Sequence, residues 1–223
     1  GSFEELKSTG MLTSWEAQYG YPMVKWAREN LLSDEYMRWK TTYSPGTEDP
    51  AKRPIGNWVL DLTTYDGERV GNITDERIPL VCADIVDLAY LHVGIDLEKI
   101  YAPEFAKWGV KYDHRLTRNA GALENIFNIP GSGDLENLHE WGDGNIPELG
   151  DMFLIEPTNS NSPTDSYHAG IVTQIHGVEA SDIWVLETSG EHNGIVEITL
   201  EDLIEIANDE EPVNILFGHP NVP

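Results

Sequence analysis

Ile78-Pro79-Leu80-Val81-Cys82-Ala83-Asp84 runs directly into Ile85-Val86-Asp87-Leu88-Ala89-Tyr90-Leu91-His92-Val93-Gly94. The apolar run reads as a buried helix, with Cys82 in its first turn and Gly94 as its stop. Gly94 followed by Ile95-Asp96-Leu97 fits a left-handed helix cap closed by an apolar contact. Cys82 is the only cysteine in the chain, so neither an internal disulfide nor a cysteine-rich zinc site can form. A thiol in a first helical turn meets unpaired amide N–H groups and the positive end of the backbone dipole, which favours its thiolate. Two readings follow, a core-packed thiol or a nucleophile.

Working outward, residues 3 to 40 read as helical, with Trp15, Trp26 and Trp39 among apolar and charged positions. These tryptophans are most simply packing residues. SPGTEDPAKRPI (44–55) carries three prolines and a glycine and reads as an irregular connector. Asn57 to Leu62 reads as a short strand and Tyr65-Asp66-Gly67 as a turn. On the other side of the cysteine helix, a second helix is expected across Thr117 to Phe127. Pro130 to Pro147 is rich in Gly, Asp and Asn and reads as a surface loop lining a groove.

After residue 148 the pattern changes to short strands. Met152-Phe153-Leu154-Ile155 follows Gly150-Asp151, and His168-Ala169-Gly170-Ile171-Val172-Thr173 follows the polar stretch NSNSPTDSY. Ile183 to Glu187 and Ile195 to Ile198 continue a meander. Thr199 caps a helix starting Leu200-Glu201-Asp202, and Val213 to Phe217 adds a last strand. Helices followed by an antiparallel sheet give an α+β fold.

The 223 residues suffice for one sizeable domain with an appendage, and 40% hydrophobic residues with 7 Trp, 9 Tyr and 5 Phe can build a core. The formal net charge is -25, which opposes nucleic-acid binding and attraction to anionic membranes or wall polymers. No apolar run approaches the ~20 residues of a membrane span. No signal peptide is visible, but Gly1-Ser2 has the look of a cloning scar, so secretion is neither shown nor excluded.

The seven histidines carry no H-E-x-x-H-type spacing, so neither a metal nor another cofactor is expected. His92 reads as a core or boundary residue. His139, His176, His192 and His219 stand beside glycine, proline or loop residues and read as exposed. His168 differs because it opens a strand directly after a polar loop, where its imidazole can project from the sheet rim toward a helix start. A thiol nucleophile needs such a base and a third group to orient the imidazole. Glu187 ends an apolar run on the strand expected to pair with that of His168. There it reads either as a solvated strand end or as a carboxylate accepting the Nδ1–H of His168.

The pieces VCADIVDLAYLHVGI, GDMFLI, HAGIV and WVLETSG, in this order, resemble the papain-like cell-wall hydrolases, both the NlpC-type peptidases and the CHAP amidases. The resemblance covers roughly residues 78 to 200. It departs from NlpC-type enzymes in having Val81 and Ala83 around the cysteine where Asp-Cys-Ser is usual. The stretch from about 95 to 148 is also longer than in a minimal domain. The resemblance implies a papain-like α+β fold, with the nucleophile helix packed on an antiparallel sheet. It implies Cys82 as nucleophile, His168 as base and Glu187 as third residue.

GIDLEKIY and YDHRLTRNAGALENIF resemble a further bacterial group of the same superfamily, which implies Asp113, His114 and Arg115 at the groove; the bland alternative is a surface turn held by an Asp–Arg pair. The expected organisation is a helical N-terminal extension (1–60) packed on a papain-like cysteine hydrolase domain (61–223). The implied substrate is a peptidoglycan peptide or another amide, and the implied location is secreted or cell-envelope. A toxin or deamidase acting on a protein, and a non-enzymatic binding module, remain open alternatives.

Overall fold

The computed structural model describes residues 11–32, 41–43, 78–80, 82–97, 99, 120, 123, 138–159, 166–189, 194–209 and 211–221. Its elements in chain order begin with a π-helical turn, Glu16–Gly20, that runs into α1, Tyr21–Asn30. The short strands β1, Thr41–Tyr43, and β2, Ile78–Leu80, pair in parallel. Helix α2 spans Cys82–His92. Then come β3 (Leu138–Glu140), β4 (Met152–Pro157), β5 (His168–Ile175), β6 (Ile183–Ser189), β7 (Gly194–Thr199), α3 (Leu200–Asn208) and β8 (Val213–Gly218).

Strands β3 to β8 form a six-stranded sheet in the order β3-β8-β4-β5-β6-β7, and every neighbouring pair is antiparallel. The fold is thus α+β. The last strand does not close the meander at its edge but inserts between β3 and β4. β3 lies inside the stretch expected to be a loop. Leu138 packs against the core there, and residues 138–140 pair with Gly218, Phe217 and Leu216, which draws a polar-looking segment into the sheet.

β4 is central, which explains why its sequence is apolar at successive positions. Met152 and Leu154 enter one core, while Phe153 and Ile155 enter the other. On the first face, Met152, Leu154, Ala169, Ile171 and Leu186 meet Ala83, Ile85, Val86 and Ala89 of α2. Met23, Ala27 and Leu31 from the α1 region belong to this same core, so the N-terminal helix is built into the hydrophobic interior. On the second face, Phe153, Ile155, Val172, Val185 and Phe217 are covered by Leu200 and Leu203 of α3.

The helix ends behave as their sequences require. Gly94 has φ 85°, its N–H donates to Leu91 O, and the Ile95 N–H reaches Tyr90 O at 2.9 Å. That pair of bonds is a Schellman cap, and Ile95 is buried beneath it. Thr199 Oγ1 accepts from Asp202 N at 3.1 Å and starts α3. At the N-terminus, Thr13 and Glu16 exchange side-chain to backbone bonds, the reciprocal pattern of a capping box. The helix opened there runs to Asn30 with Leu31 as its C-cap, and residues 33–40 of the stretch expected to be helical lie outside the described residues.

The expectations for 44–55, 57–62 and 65–67 lie outside the described residues, as does most of the helix expected across 117–127. Among the described residues, no helix is long and apolar enough to cross a membrane.

Candidate active site

Three elements meet at one end of the sheet. Cys82 is the first residue of α2, His168 the first of β5, and Glu187 lies near the end of β6. β5 and β6 are hydrogen-bonded neighbours with Ile171 opposite Leu186, so Glu187 stands one residue further toward the His168 end. The packing of α2 across β5 and β6 carries its N-terminus to the same place.

His168 hydrogen-bonds with both the Cys82 thiol and the Glu187 carboxylate. Its Nε2 donates to Glu187 Oε2. This corrects the expected use of Nδ1: Nε2 meets the carboxylate on β6. Nε2 is the ring nitrogen farther from the backbone, which suits it to a partner on the neighbouring strand.

The site is dry. The side chains of His168 and Glu187 are 12% and 3% exposed, and Cys82 is buried. Burial alone would lower the His168 pKa, but the bonds and negative charges of Cys82 and Glu187 outweigh it and push the value up to about 10. His168 is therefore an imidazolium at neutral pH. The Phe153 ring, centred 5.8 Å from that of His168, supports it from β4. Gly170 makes room for this arrangement: an added Cβ would lie 2.4 Å from both Leu186 O and Phe153 Cε1.

A second polar cluster forms where β4 begins. Gly150-Asp151 belongs to a tight turn whose polar groups are met from three elements. Glu16 Oε2 accepts from Leu149 N, Trp15 Nε1 donates to Leu149 O at 2.9 Å, and Tyr90 Oη donates to Gly150 O at 2.8 Å. Gly150 has φ 81°. Gly20 lets the N-terminal helix close onto the turn, since a Cβ there would lie 2.0 Å from Leu149 O.

Asp151 is buried, and its Oδ1 accepts from His219 Nδ1 at 2.5 Å. Desolvation raises the Asp151 pKa although His219 opposes it. His219, expected to be exposed, is instead mostly covered because its ring stacks on Trp15. The side-chain ligating atoms of Glu148, Asp151 and His219 lie within 4.8 Å of one another. Sequence spacing missed this group, since its histidine follows the last strand and its acids precede the first large one.

Of the other histidines, His92, expected as a core or boundary residue, is exposed and stacks on Trp26 with centroids 4.5 Å apart. His176 is exposed as expected, His139 is half-buried, and His192 lies outside the described residues. Asp113, His114 and Arg115 also lie outside them. Scans against protein-family models, curated proteins and solved structures return no match to this chain.

Proposed function

We propose that the chain is a papain-like cysteine amidase or peptidase of the NlpC/CHAP type, acting on amide bonds of bacterial peptidoglycan. The observation that carries this reading is the convergence of Cys82, His168 and Glu187 from a helix start and two adjacent strands. A thiol at a helix N-terminus beside an imidazolium is the setting in which the thiolate is favoured. The thiolate attacks the substrate carbonyl carbon, and N–H groups of the first turn of α2 receive the oxyanion. His168 gives its proton to the leaving amine, and the acyl group stays on Cys82 as a thioester. His168 then accepts a proton from water as the water attacks, and the acid product leaves with the thiolate restored. Glu187 holds the ring orientation and balances the imidazolium throughout.

The burial of Cys82 alone would suit a non-enzymatic module whose thiol merely packs. Such a module has no use for a desolvated imidazolium–carboxylate pair against that thiol, and burying one without need is costly. The resemblance in VCADIVDLAYLHVGI, GDMFLI, HAGIV and WVLETSG supports the substrate class. With a net charge of -25, substrate capture falls to hydrogen bonds in a local cleft and not to bulk attraction. The test is digestion of purified peptidoglycan by wild type and Cys82→Ala, with products read by mass spectrometry. Fragments released by wild type alone support the reading, and their masses identify the bond. No fragments from either protein would overturn the peptidoglycan assignment.

A further inference from the structure

We propose that Glu148, Asp151 and His219 form a binding site for a divalent transition-metal cation of the zinc type, separate from the Cys82 site. Along β4 the two places are well apart. Asp151 immediately precedes Met152, whereas His168 lies opposite Ile155, four residues further on, or roughly 13 Å at about 3.3 Å per residue.

The donor set is one imidazole nitrogen and two carboxylates. That mixture suits zinc and its neighbours in the first transition row, whereas calcium and magnesium favour all-oxygen sets. Two of the three donors are aimed by contacts outside the metal-facing atoms. The His219 ring is stacked on Trp15 at 4.0 Å with 3° between planes. Asp151 Oδ2 accepts the Glu148 N–H at 2.9 Å, which turns Oδ1 toward His219. Glu148 Oε2 stands 3.6 Å from His219 Nδ1 and completes the set. Outer contacts of this kind hold metal ligands in place.

Charge points the same way. Two carboxylates, one of them 3% exposed, face a single imidazole. A divalent cation balances both. Without it, a proton on Nδ1 bridges to Asp151 at hydrogen-bond spacing, 2.5 Å. Ligands at about 2.0–2.2 Å from zinc in a tetrahedral site stand roughly 3.3 Å apart, so from atoms already within 4.8 Å of one another binding requires shifts of no more than about 1.5 Å. Glu148, with its side chain 32% exposed, and His219, beyond the end of β8, have the freedom to make it. A bound ion would tie the 148–151 turn to the segment after β8 and, through Trp15, to the N-terminal helix.

The test uses the full chain carrying Cys82→Ala, so that the thiol cannot compete for metal, after treatment with a chelator. Cobalt(II) is titrated with absorption as the readout, and zinc is added in thermal melts. One equivalent of cobalt should bind with ligand-field bands of nitrogen and oxygen donors and no thiolate charge-transfer band. Zinc should raise the melting temperature. Adding Glu148→Gln should weaken cobalt binding at least tenfold, and adding His219→Gln should abolish it. If His219→Gln does not fold, Glu148→Gln decides alone. Absence of saturable binding by the folded protein would overturn the site, as would binding that Glu148→Gln leaves unchanged. Either result leaves the peptidoglycan assay, and the reading it tests, untouched.

Discussion

His168 meets the Glu187 carboxylate through Nε2, and the same imidazole hydrogen-bonds with the Cys82 thiol. The arrangement governs the proton affinity of the site: Cys82 and Glu187 raise the pKa of a buried imidazole to about 10 against the effect of burial. The predictions below follow from that relationship and from the packing that produces it.

Alkylation reports the thiol state directly. Iodoacetamide should modify Cys82 at pH 6 in the wild-type protein, with the neighbouring His168 as the source of the reactivity. In His168→Gln the rate at pH 6 should fall at least about tenfold. An equal rate in the two proteins would separate the thiol's reactivity from His168.

Stability should depend on alkaline pH with a definite sign. The folded His168 pKa is raised from 6.5 to about 10. Its contribution is therefore fully present below pH 6.5 and is lost as pH rises through the folded value. Urea unfolding between pH 6.5 and 10 should show wild type losing on the order of a few kcal/mol more than His168→Gln. Parallel curves for the two proteins would contradict the triad's protonation state.

Glu187→Gln preserves shape but removes charge. Turnover of whichever amide substrate is identified should drop by about 10²- to 10⁴-fold, with the alkaline limb of the pH–rate profile moving to lower pH. A lost rate with an unmoved limb would assign Glu187 a packing role only.

Two glycines should resist substitution for steric reasons alone. Gly20→Ala places a methyl 2.0 Å from Leu149 O, and Gly170→Ala places one 2.4 Å from Leu186 O and Phe153. Each should cost about 1–3 kcal/mol, measured as a fall in melting temperature. Gly170→Ala should in addition lower activity, since Phe153 supports the His168 ring.

Salt should stabilise the protein. With a net charge of -25, self-repulsion opposes the compact state. The screening length falls from about 30 Å to about 3 Å between 0.01 and 1 M salt. The melting temperature should rise over that range, and a flat response would mean that the charges are already neutralised by local pairing.

Local patterns carried much of this protein into view. The apolar run ending at Gly94 specified a helix because a left-handed stop and a buried Ile95 act within a few residues. Thr199 specified the start of α3 for the same reason, through one bond to Asp202. The strands β4 to β7 were legible from their apolar runs. So were Cys82 and His168 as candidates, since each opens an element, and Glu187, which ends the apolar run of β6.

What tertiary structure decided concerns partners distant in sequence. It chose which ring nitrogen of His168 meets Glu187, because that depends on how far one strand lies from the next. It inserted β8 beside β4 and drew residues 138–140 into the sheet, because edge hydrogen bonds outside the local pattern were there to be filled. It also buried His219 against Trp15, joining a residue near the end of the chain to one near its beginning. Secondary structure is written in neighbours three or four residues apart, and a site is written in whatever the packed core brings within hydrogen-bond reach.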